Sequence, residues 1–266
     1  MGKFFTVVVK PDIVKGDISD VIDADTSDLA VADNDVVFDW VEVDVPKGTN
    51  MLRSINMFVN GPDTSVHASG AIDYDLIFAK SFNGSAPQSI GVTNGSVTSA
   101  NLGWPRQHWI GTYKFIGANA IGSGTSQLAS GFGYTSNGLH TAPGGGLPMI
   151  LDLEPESGTN VGYDKLYIAG IHGGSRDYNT GVIVNGAITS DTEDTITVDG
   201  VDAREIFSIG DTVYLHDVDT ALGTVKSVPS ATSIVLNAAI AGGTNLADDD
   251  ELVNANPFVI RLGFEK

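Results

Sequence analysis

The residues closest to an enzymatic motif lie in the segment GIHGGSRD, at residues 170–177. His172 is followed by two glycines and then by Ser175, so the segment has the elements of an oxyanion loop with a nucleophile for ester hydrolysis. The sequence lacks the G-x-S-x-G turn that exposes such a serine, and it lacks the alternation of strands and helices that supports one. We therefore interpret the segment as a turn between two strands, and we predict that the protein is not an enzyme.

Metal and cofactor motifs are not evident from residue spacing. The histidines occur in unrelated contexts, without H-x-H or H-x-x-x-H spacing. They are His67, His108, His140, His172 and His216. The chain has no cysteine, which excludes disulfides, a thiol nucleophile and cysteine-ligated zinc. It also has no Walker loop or dinucleotide fingerprint, so we predict no cofactor and no metal site.

Acidic residues form three runs that could supply oxygen ligands to calcium. The runs contain Asp23, Asp25 and Asp28, then Asp217 and Asp219, then Asp248, Asp249, Asp250 and Glu251. None follows the ligand spacing of an EF-hand loop or of a nonapeptide repeat. We interpret them as solvated loops, and calcium binding is the open alternative.

An aromatic cluster, Trp104, His108, Trp109 and Tyr113, lies in a long segment rich in glycine, serine and threonine. Aromatic faces can stack on the apolar faces of sugars while polar neighbours fix their orientation. The simpler interpretation, which we favour, is that these residues anchor the segment to the core or to a neighbouring subunit.

The negative net charge of the chain bears on which partners it can bind. Its 266 residues include 33 acidic and 14 basic side chains, which gives a formal charge of −19. Phosphate contacts need clustered lysine and arginine, so the sequence predicts no binding to nucleic acid. The apolar run at residues 4–9 is too short for a signal peptide or a membrane span. We therefore expect a protein made in the cytoplasm, with no membrane partner.

Short alternating segments predict an all-β fold. The 32 glycines and 10 prolines indicate many turns. FFTVVV at residues 4–9 predicts a buried strand, and the segment at 36–45 alternates apolar and acidic residues. The next strands end at Asn60-Gly61 and Asn83-Gly84, which favour tight turns and suggest an antiparallel meander. The predicted fold is an antiparallel β-sandwich, jelly-roll-like, with a small β-barrel subdomain.

The domain prediction rests on a change in the spacing of turns. Residues 1–186 are assigned to the main sandwich, and 257–266 form an apolar strand expected to complete it. Residues 187–256 show short strands with turns about every ten residues, as in a small barrel. This barrel is either an insertion within the sandwich or a tandem domain followed by a C-terminal strand.

Four segments carry a resemblance to known proteins: residues 36–61, residues 75–91, LYIAGI at 166–171, and the barrel segment 207–253 with its G-D, G-T-V and T-S-I-V-L strands. In these segments the chain resembles virion structural proteins of tailed bacteriophages, particularly marine ones. It implies a capsid decoration or cement protein that binds and bridges major capsid protein subunits on the exterior of the virion. It also implies a homo-oligomer, with a trimer as one arrangement.

We predict that the contacts between subunits use apolar, aromatic and a few basic side chains. The candidates are Phe4, Phe5, Val7, Arg53, Trp104, Arg106, Trp109, Tyr113 and Lys114. The alternative function is a carbohydrate-binding or receptor-binding module on a fibre or tail, which would use the aromatic cluster.

Overall fold

A computed structural model describes residues 2–13, 30–31, 34–60, 73–91, 107–116, 121–123, 126–132, 147–157, 162–174, 176–178, 182–189, 192–216, 220–240 and 244–266. In these residues the chain forms eighteen strands and one short helix, α1 (Ala203–Ile206). The strands are β1 (Phe4–Val9), β2 (Ala30–Val31), β3 (Val36–Pro46), β4 (Met51–Asn60), β5 (Asp73–Lys80), β6 (Trp109–Phe115), β7 (Ile121–Ser123), β8 (Ser126–Phe132), β9 (Met149–Ile150), β10 (Tyr163–Gly173), β11 (Arg176–Asp177), β12 (Val182–Val184), β13 (Thr195–Gly200), β14 (Thr212–Leu215), β15 (Thr220–Ser230), β16 (Ser233–Leu236), β17 (Leu252–Asn254) and β18 (Phe258–Glu265).

Two antiparallel sheets form a sandwich. The first has the strand order β1-β18-β4-β8-β7, with β9 also paired to β4, and the second has the order β3-β10-β5-β6. The sandwich has eight principal strands, which in chain order are β1, β3, β4, β5, β6, β8, β10 and β18. If these are numbered 1 to 8, the first sheet has the order 1-8-3-6 and the second sheet has the order 2-7-4-5. This is the strand order of a jelly roll, so the predicted all-β, jelly-roll-like sandwich is confirmed.

The expected meander is wrong, because β3, β4 and β5 alternate between the two sheets. The tight turn predicted at Asn83-Gly84 is nevertheless confirmed. Both residues have positive φ, and they join the bridged residues Phe82 and Ser85 in a tight turn. Alternation and turn residues are the same in a meander and in a Greek key, so they do not determine which sheet a strand enters.

The sandwich core follows from the two-residue period of the strands. Along β10, Leu166 and Ile168 face the interior between the sheets. Ala169 faces the other side, where it packs with Val36, Ile77 and Ile90 in a second apolar cluster. Because segment 81–91 supplies Ile90 to that outer cluster, β10 is buried on both faces. This explains its nearly continuous apolar sequence.

An aromatic cluster surrounds Phe258 at the start of β18. The Phe258 ring lies 5.7 Å from that of Phe38, 5.4 Å from that of Tyr74 and 5.7 Å from that of Tyr178. All four side chains are almost fully buried. The cluster joins β18 of the first sheet to β3 and β5 of the second, so it holds the two layers together.

The strands between β10 and β18 include a small, nearly closed barrel. Its order is β12-β13-β16-β15-β14-β17, and a bridge between Ile183 and Glu251 brings the two end strands together. The strands of the barrel share one hydrophobic core, which is separate from the core of the sandwich. Its buried residues include Val184, Ile196, Val213, Val225, Leu236 and Leu252.

The barrel meets the sandwich through a small polar network around Asp211. The Lys10 ammonium lies 2.7 Å from the buried Asp211 carboxylate, and the Ser208 backbone N–H donates to the same carboxylate. Burial raises the pKa of Asp211, although Lys10, the Ser208 N–H and Asn254 favour its ionised form. Nearby, the Asn256 amide donates to the carbonyl of Pro11 at 3.1 Å.

Strand β18 pairs with both β1 and β4 in the first sheet of the sandwich. The domain boundaries at residues 186/187 and 256/257 stay a prediction. Among the described residues, no helix has the length and apolar character needed to cross a bilayer.

Candidate functional site

Strand β1 forms one edge of the first sheet. Within the described residues it pairs with β18 and with no strand on its other side. Phe5 and Val7 point inward and pack against the core, and the Phe5 ring stacks on Phe264 at 5.1 Å. Phe4 and Val8 point outward and are 72% and 50% exposed. The prediction of a buried strand is therefore correct for one face of β1 and wrong for the other, which presents exposed apolar side chains.

A shallow groove of about 400 Å³ lies beside this edge. It is lined by Phe4, Phe5, Thr6, Arg53, Ser54, Gly263 and Phe264. A Cβ at Gly263 would collide with Ser54 Oγ, so a glycine at this position leaves the space of the groove unfilled. The Arg53 Nε donates to Glu265 at 2.6 Å, which fixes the guanidinium at one end. The groove thus unites three of the predicted contact residues, Phe4, Phe5 and Arg53.

Val7 lies on β1, and the other predicted contact residues that the structure describes lie on β6, which within the described residues is an edge strand of the second sheet. Trp109 is exposed, whereas Tyr113 is buried in the sandwich core with its ring 4.9 Å from Phe115. Burial raises the pKa of Tyr113. This position favours a packing role for Tyr113 over stacking on a sugar or contact with a partner. Trp104 and Arg106 lie outside the described residues.

Lys114, also on β6, forms ion pairs with two aspartates of β5. Its ammonium is 3.2 Å from Asp73 and 3.6 Å from Asp75. Partial burial lowers the pKa of Lys114, but the charges and hydrogen bonds of the two aspartates outweigh burial and raise it. Lys114 therefore holds the β5–β6 pair together and remains charged at neutral pH.

The histidine of the GIHGGSRD segment belongs to a buried polar chain. His172 lies in β10, with Nδ1 2.7 Å from the carbonyl oxygen of Gly174 and Nε2 2.6 Å from the Tyr178 hydroxyl. Because a carbonyl can only accept, Nδ1 carries the proton, and the Tyr178 hydroxyl donates to Nε2. The Tyr74 hydroxyl then donates to the Tyr178 oxygen at 3.1 Å. Ser175 lies outside the described residues.

We expect Tyr178→Phe to lower the free energy of unfolding by about 1–3 kcal/mol, because it removes the hydroxyl that both His172 Nε2 and Tyr74 contact in a buried site. Urea unfolding of wild type and variant measures this difference. Tyr163→Phe removes the same group from an exposed ring, and its effect should stay within about 0.5 kcal/mol. Equal effects of the two substitutions would contradict the hydrogen-bonded chain.

The acidic runs have structural contacts where the structure describes them. Asp248 accepts from the backbone N–H of Gly186 at 2.6 Å, and Asp250 accepts from that of Ala247 at 2.6 Å. Asp23, Asp25, Asp28, Asp217 and Asp219 lie outside the described residues. In the described ranges, no group of three or more potential ligands is placed to hold a metal ion.

Sequence reasoning missed a cleft on the outer face of the second sheet, with a volume of about 540 Å³. We call it the acidic cleft. Its lining includes Trp40 and Tyr167, and its charged side chains are Lys10, Asp12, Asp39, Glu42 and Glu156. These residues come from several separate parts of the chain. The available signal was weak: Tyr167 interrupts the aliphatic run of LYIAGI, and Trp40 lies between Asp39 and Glu42 on β3.

The cleft is held in shape by hydrogen bonds between β3 and segment 81–91. The Trp40 Nε1 donates to the carbonyl of Gln88 at 2.7 Å, and the Ile90 N–H donates to Asp39 at 3.0 Å. Glu156 accepts from the Ser81 hydroxyl at 2.9 Å. The walls of the cleft are thereby attached to the same sheet.

A buried lysine lies beside the cleft on β10. Lys165 donates to Glu42 and Asp44 of β3. Burial lowers the pKa of Lys165, but hydrogen bonds and charge interactions with these two acids outweigh burial and raise it. The lysine offsets part of the negative charge of Glu42.

These features define a jelly-roll sandwich with a small barrel, an apolar edge strand and an acidic cleft. No protein-family model matches the sequence, and no curated protein matches it. Among solved structures, a chain titled "Crystal Structure of the STIV MCP" aligns at 11% identity over 99% of this chain and 96% of that chain, with a TM-score of 0.12. A TM-score this low carries no information about the fold or function of this protein.

Proposed function

We propose that the protein is a virion structural protein that decorates a phage capsid by binding and bridging major capsid protein subunits. The observation that carries the proposal is the apolar edge strand β1 of the jelly-roll sandwich, with Phe4 and Val8 directed outward. Jelly rolls are used by viral capsid proteins, but also by lectins and cupins, so the fold alone does not distinguish these roles. The edge strand adds the distinguishing feature.

An exposed apolar edge strand is a hazard for a free protein, since its unpaired backbone groups can pair with any other strand. Natural proteins usually protect such an edge with charges, proline or a covering segment. The exposed Phe4 and Val8 instead suit an edge that a partner covers. In a decoration protein, the capsid subunit would supply that cover.

Bridging requires more than one contact surface. Within the part of the chain that the structure describes, β1 and β6 are edge strands of different sheets, and each presents an exposed aromatic residue, Phe4 and Trp109 respectively. Self-association into a symmetric oligomer would use one of these edges and leave the other for the capsid. A specific contact at either edge must bury about 1,000 Å² or more of total surface.

Co-sedimentation with undecorated phage heads tests this function. The purified protein should bind in a saturable manner and reach an integer ratio to the major capsid subunit. Replacing Phe4 and Val8 together by lysine should weaken binding at least tenfold, because two outward apolar contacts become charged. These substitutions are preferred to deletion of residues 1–10, which would remove a paired strand and the Lys10 contact with Asp211.

Ile150→Lys is the matched control, because Ile150 is 75% exposed on β9 of the same sheet and lies outside the β1 groove. It should bind heads like the wild type. Failure of the wild type to co-sediment, or binding that the Phe4 and Val8 substitutions leave unchanged, would refute the proposed contact. Selective binding on a glycan array without binding to heads would favour the carbohydrate-binding function instead.

A further inference from the structure

The acidic cleft contains a buried hydroxyl with an unmet hydrogen-bonding requirement. Tyr167 is only 4% exposed, and within the described residues its hydroxyl has no hydrogen-bond partner. Buried polar groups in native proteins nearly always have a partner, which can be a bound molecule. Tyr167 also lines the cleft, so a ligand there would lie beside the side chain that carries this hydroxyl.

The net charge of the cleft indicates whether such a ligand would be a cation or an anion. Among the described residues, four carboxylates line it, from Asp12, Asp39, Glu42 and Glu156, and Lys10 supplies one ammonium. That ammonium is directed toward the barrel, where it donates to Asp211 at 2.7 Å and to the Ile209 carbonyl at 2.9 Å. Even with Lys165 beside Glu42, negative charge exceeds positive charge, which favours a cation over a neutral or anionic ligand.

The polar atoms that line the cleft indicate which kind of cation it would bind. Carboxylates accept hydrogen bonds, and a tyrosine oxygen can accept one as well, so the ligand should be rich in N–H donors. A guanidinium has five donors and no acceptor, and its flat face stacks on an indole such as Trp40. An ammonium has fewer donors and no flat face.

We propose that the acidic cleft binds a guanidinium group, supplied by an arginine side chain of a partner protein. The volume of about 540 Å³ exceeds that of the guanidinium alone and leaves room for the aliphatic stem and the flanking backbone. Carboxylates hold the guanidinium, Trp40 supports its face, and Tyr167 accepts one of its N–H groups. This assignment does not depend on a capsid role, because it rests on residues that are not part of the β1 edge.

Titration of the full chain with N-acetyl-arginine amide, followed by NMR, tests the site. We expect saturable shifts of the Trp40 indole N–H with a Kd on the order of 1 mM. N-acetyl-citrulline amide has the same shape without the charge, and it should bind at least about tenfold more weakly. N-acetyl-lysine amide should also bind more weakly, because it lacks the planar group of five donors.

Tyr167→Phe separates a binding role from a structural one. Because the hydroxyl has no partner among the described residues, its removal should leave the melting temperature unchanged or raise it, while weakening the arginine derivative about three- to tenfold. Glu156→Gln should weaken binding by a similar factor. Asp152→Asn removes the same charge at a side chain that is 94% exposed outside the cleft, and it should leave Kd unchanged.

Several outcomes would overturn the site. These are equal binding of the citrulline and arginine derivatives, arginine binding that Tyr167→Phe leaves intact, and equal losses in Glu156→Gln and Asp152→Asn. Binding of methyl glycosides in place of the arginine derivative would assign the cleft to a neutral sugar. Binding of the free derivative without binding of the peptide N-acetyl-Gly-Arg-Gly amide would exclude a protein source. Arginine binding without co-sedimentation would refute the capsid role and leave this site standing.

Discussion

Phe258→Ala is expected to lower the free energy of unfolding by about 3–5 kcal/mol, the largest effect among the substitutions considered. The ring is fully buried and lies within 5.7 Å of the rings of Phe38, Tyr74 and Tyr178. Alanine would leave a cavity between the two sheets, because rigid aromatic neighbours on several strands cannot all move in to fill it. Urea unfolding monitored by circular dichroism measures the loss.

Phe4→Ala is the matched control for this prediction, since it removes the same atoms from a ring that is 72% exposed. Its cost should be within about 0.5 kcal/mol. Phe258→Leu keeps much of the buried volume and should cost less than alanine at the same position. If Phe258→Ala cost no more than Phe4→Ala, the aromatic cluster would not be the contact that holds the sheets together.

Gly170→Ala is expected to lower the free energy of unfolding by about 1–3 kcal/mol. A Cβ at this position would lie 2.5 Å from Cε1 and 2.8 Å from Cζ of Phe38. Phe38 is itself packed against Phe258, so its ring has little room to withdraw. The pairing register between β10 and β3 shifts on both sides of Gly170, so glycine lies at an irregularity where the two strands approach closely.

A double-mutant cycle with Phe38→Leu tests this cause directly. The smaller, more adaptable leucine should relieve the clash, so that Phe38→Leu costs less in the Gly170→Ala background than in the wild type. A coupling free energy of about 0.5–3 kcal/mol is expected for residues in contact. Additive effects would show that Gly170→Ala acts through the backbone and not through the Phe38 ring.

The two proposals concern different faces of the sandwich and can be judged separately. The β1 edge lies on the first sheet and presents apolar groups, whereas the acidic cleft lies on the outer face of the second sheet and presents carboxylates. An apolar edge supplies contact area, while a charged cleft supplies selectivity for one partner.

Local residue patterns were sufficient to predict the fold class and several strands, but not β6, β7 and β8, which lie in the segment rich in glycine, serine and threonine that the sequence indicated to be a long loop. Alternation of apolar and polar residues predicted β3, and the Asn83-Gly84 dipeptide predicted a tight turn, because side-chain period and positive φ are properties of a few consecutive residues. The same patterns predicted the C-terminal strand seen as β18. The small barrel was also predicted from short strands at regular spacing.

Tertiary structure decided which strands are neighbours and what each candidate residue contacts. The meander prediction failed because alternation specifies the two faces of a strand but not the sheet that it enters. Tyr113 belongs to the core because the pairing of β6 with β5 places it in the sandwich, and the buried chain of His172 and Tyr178 is completed by Tyr74 of the distant strand β5. Trp40 and Tyr167 line one cleft because β3 pairs with β10, and local sequence does not specify that pairing.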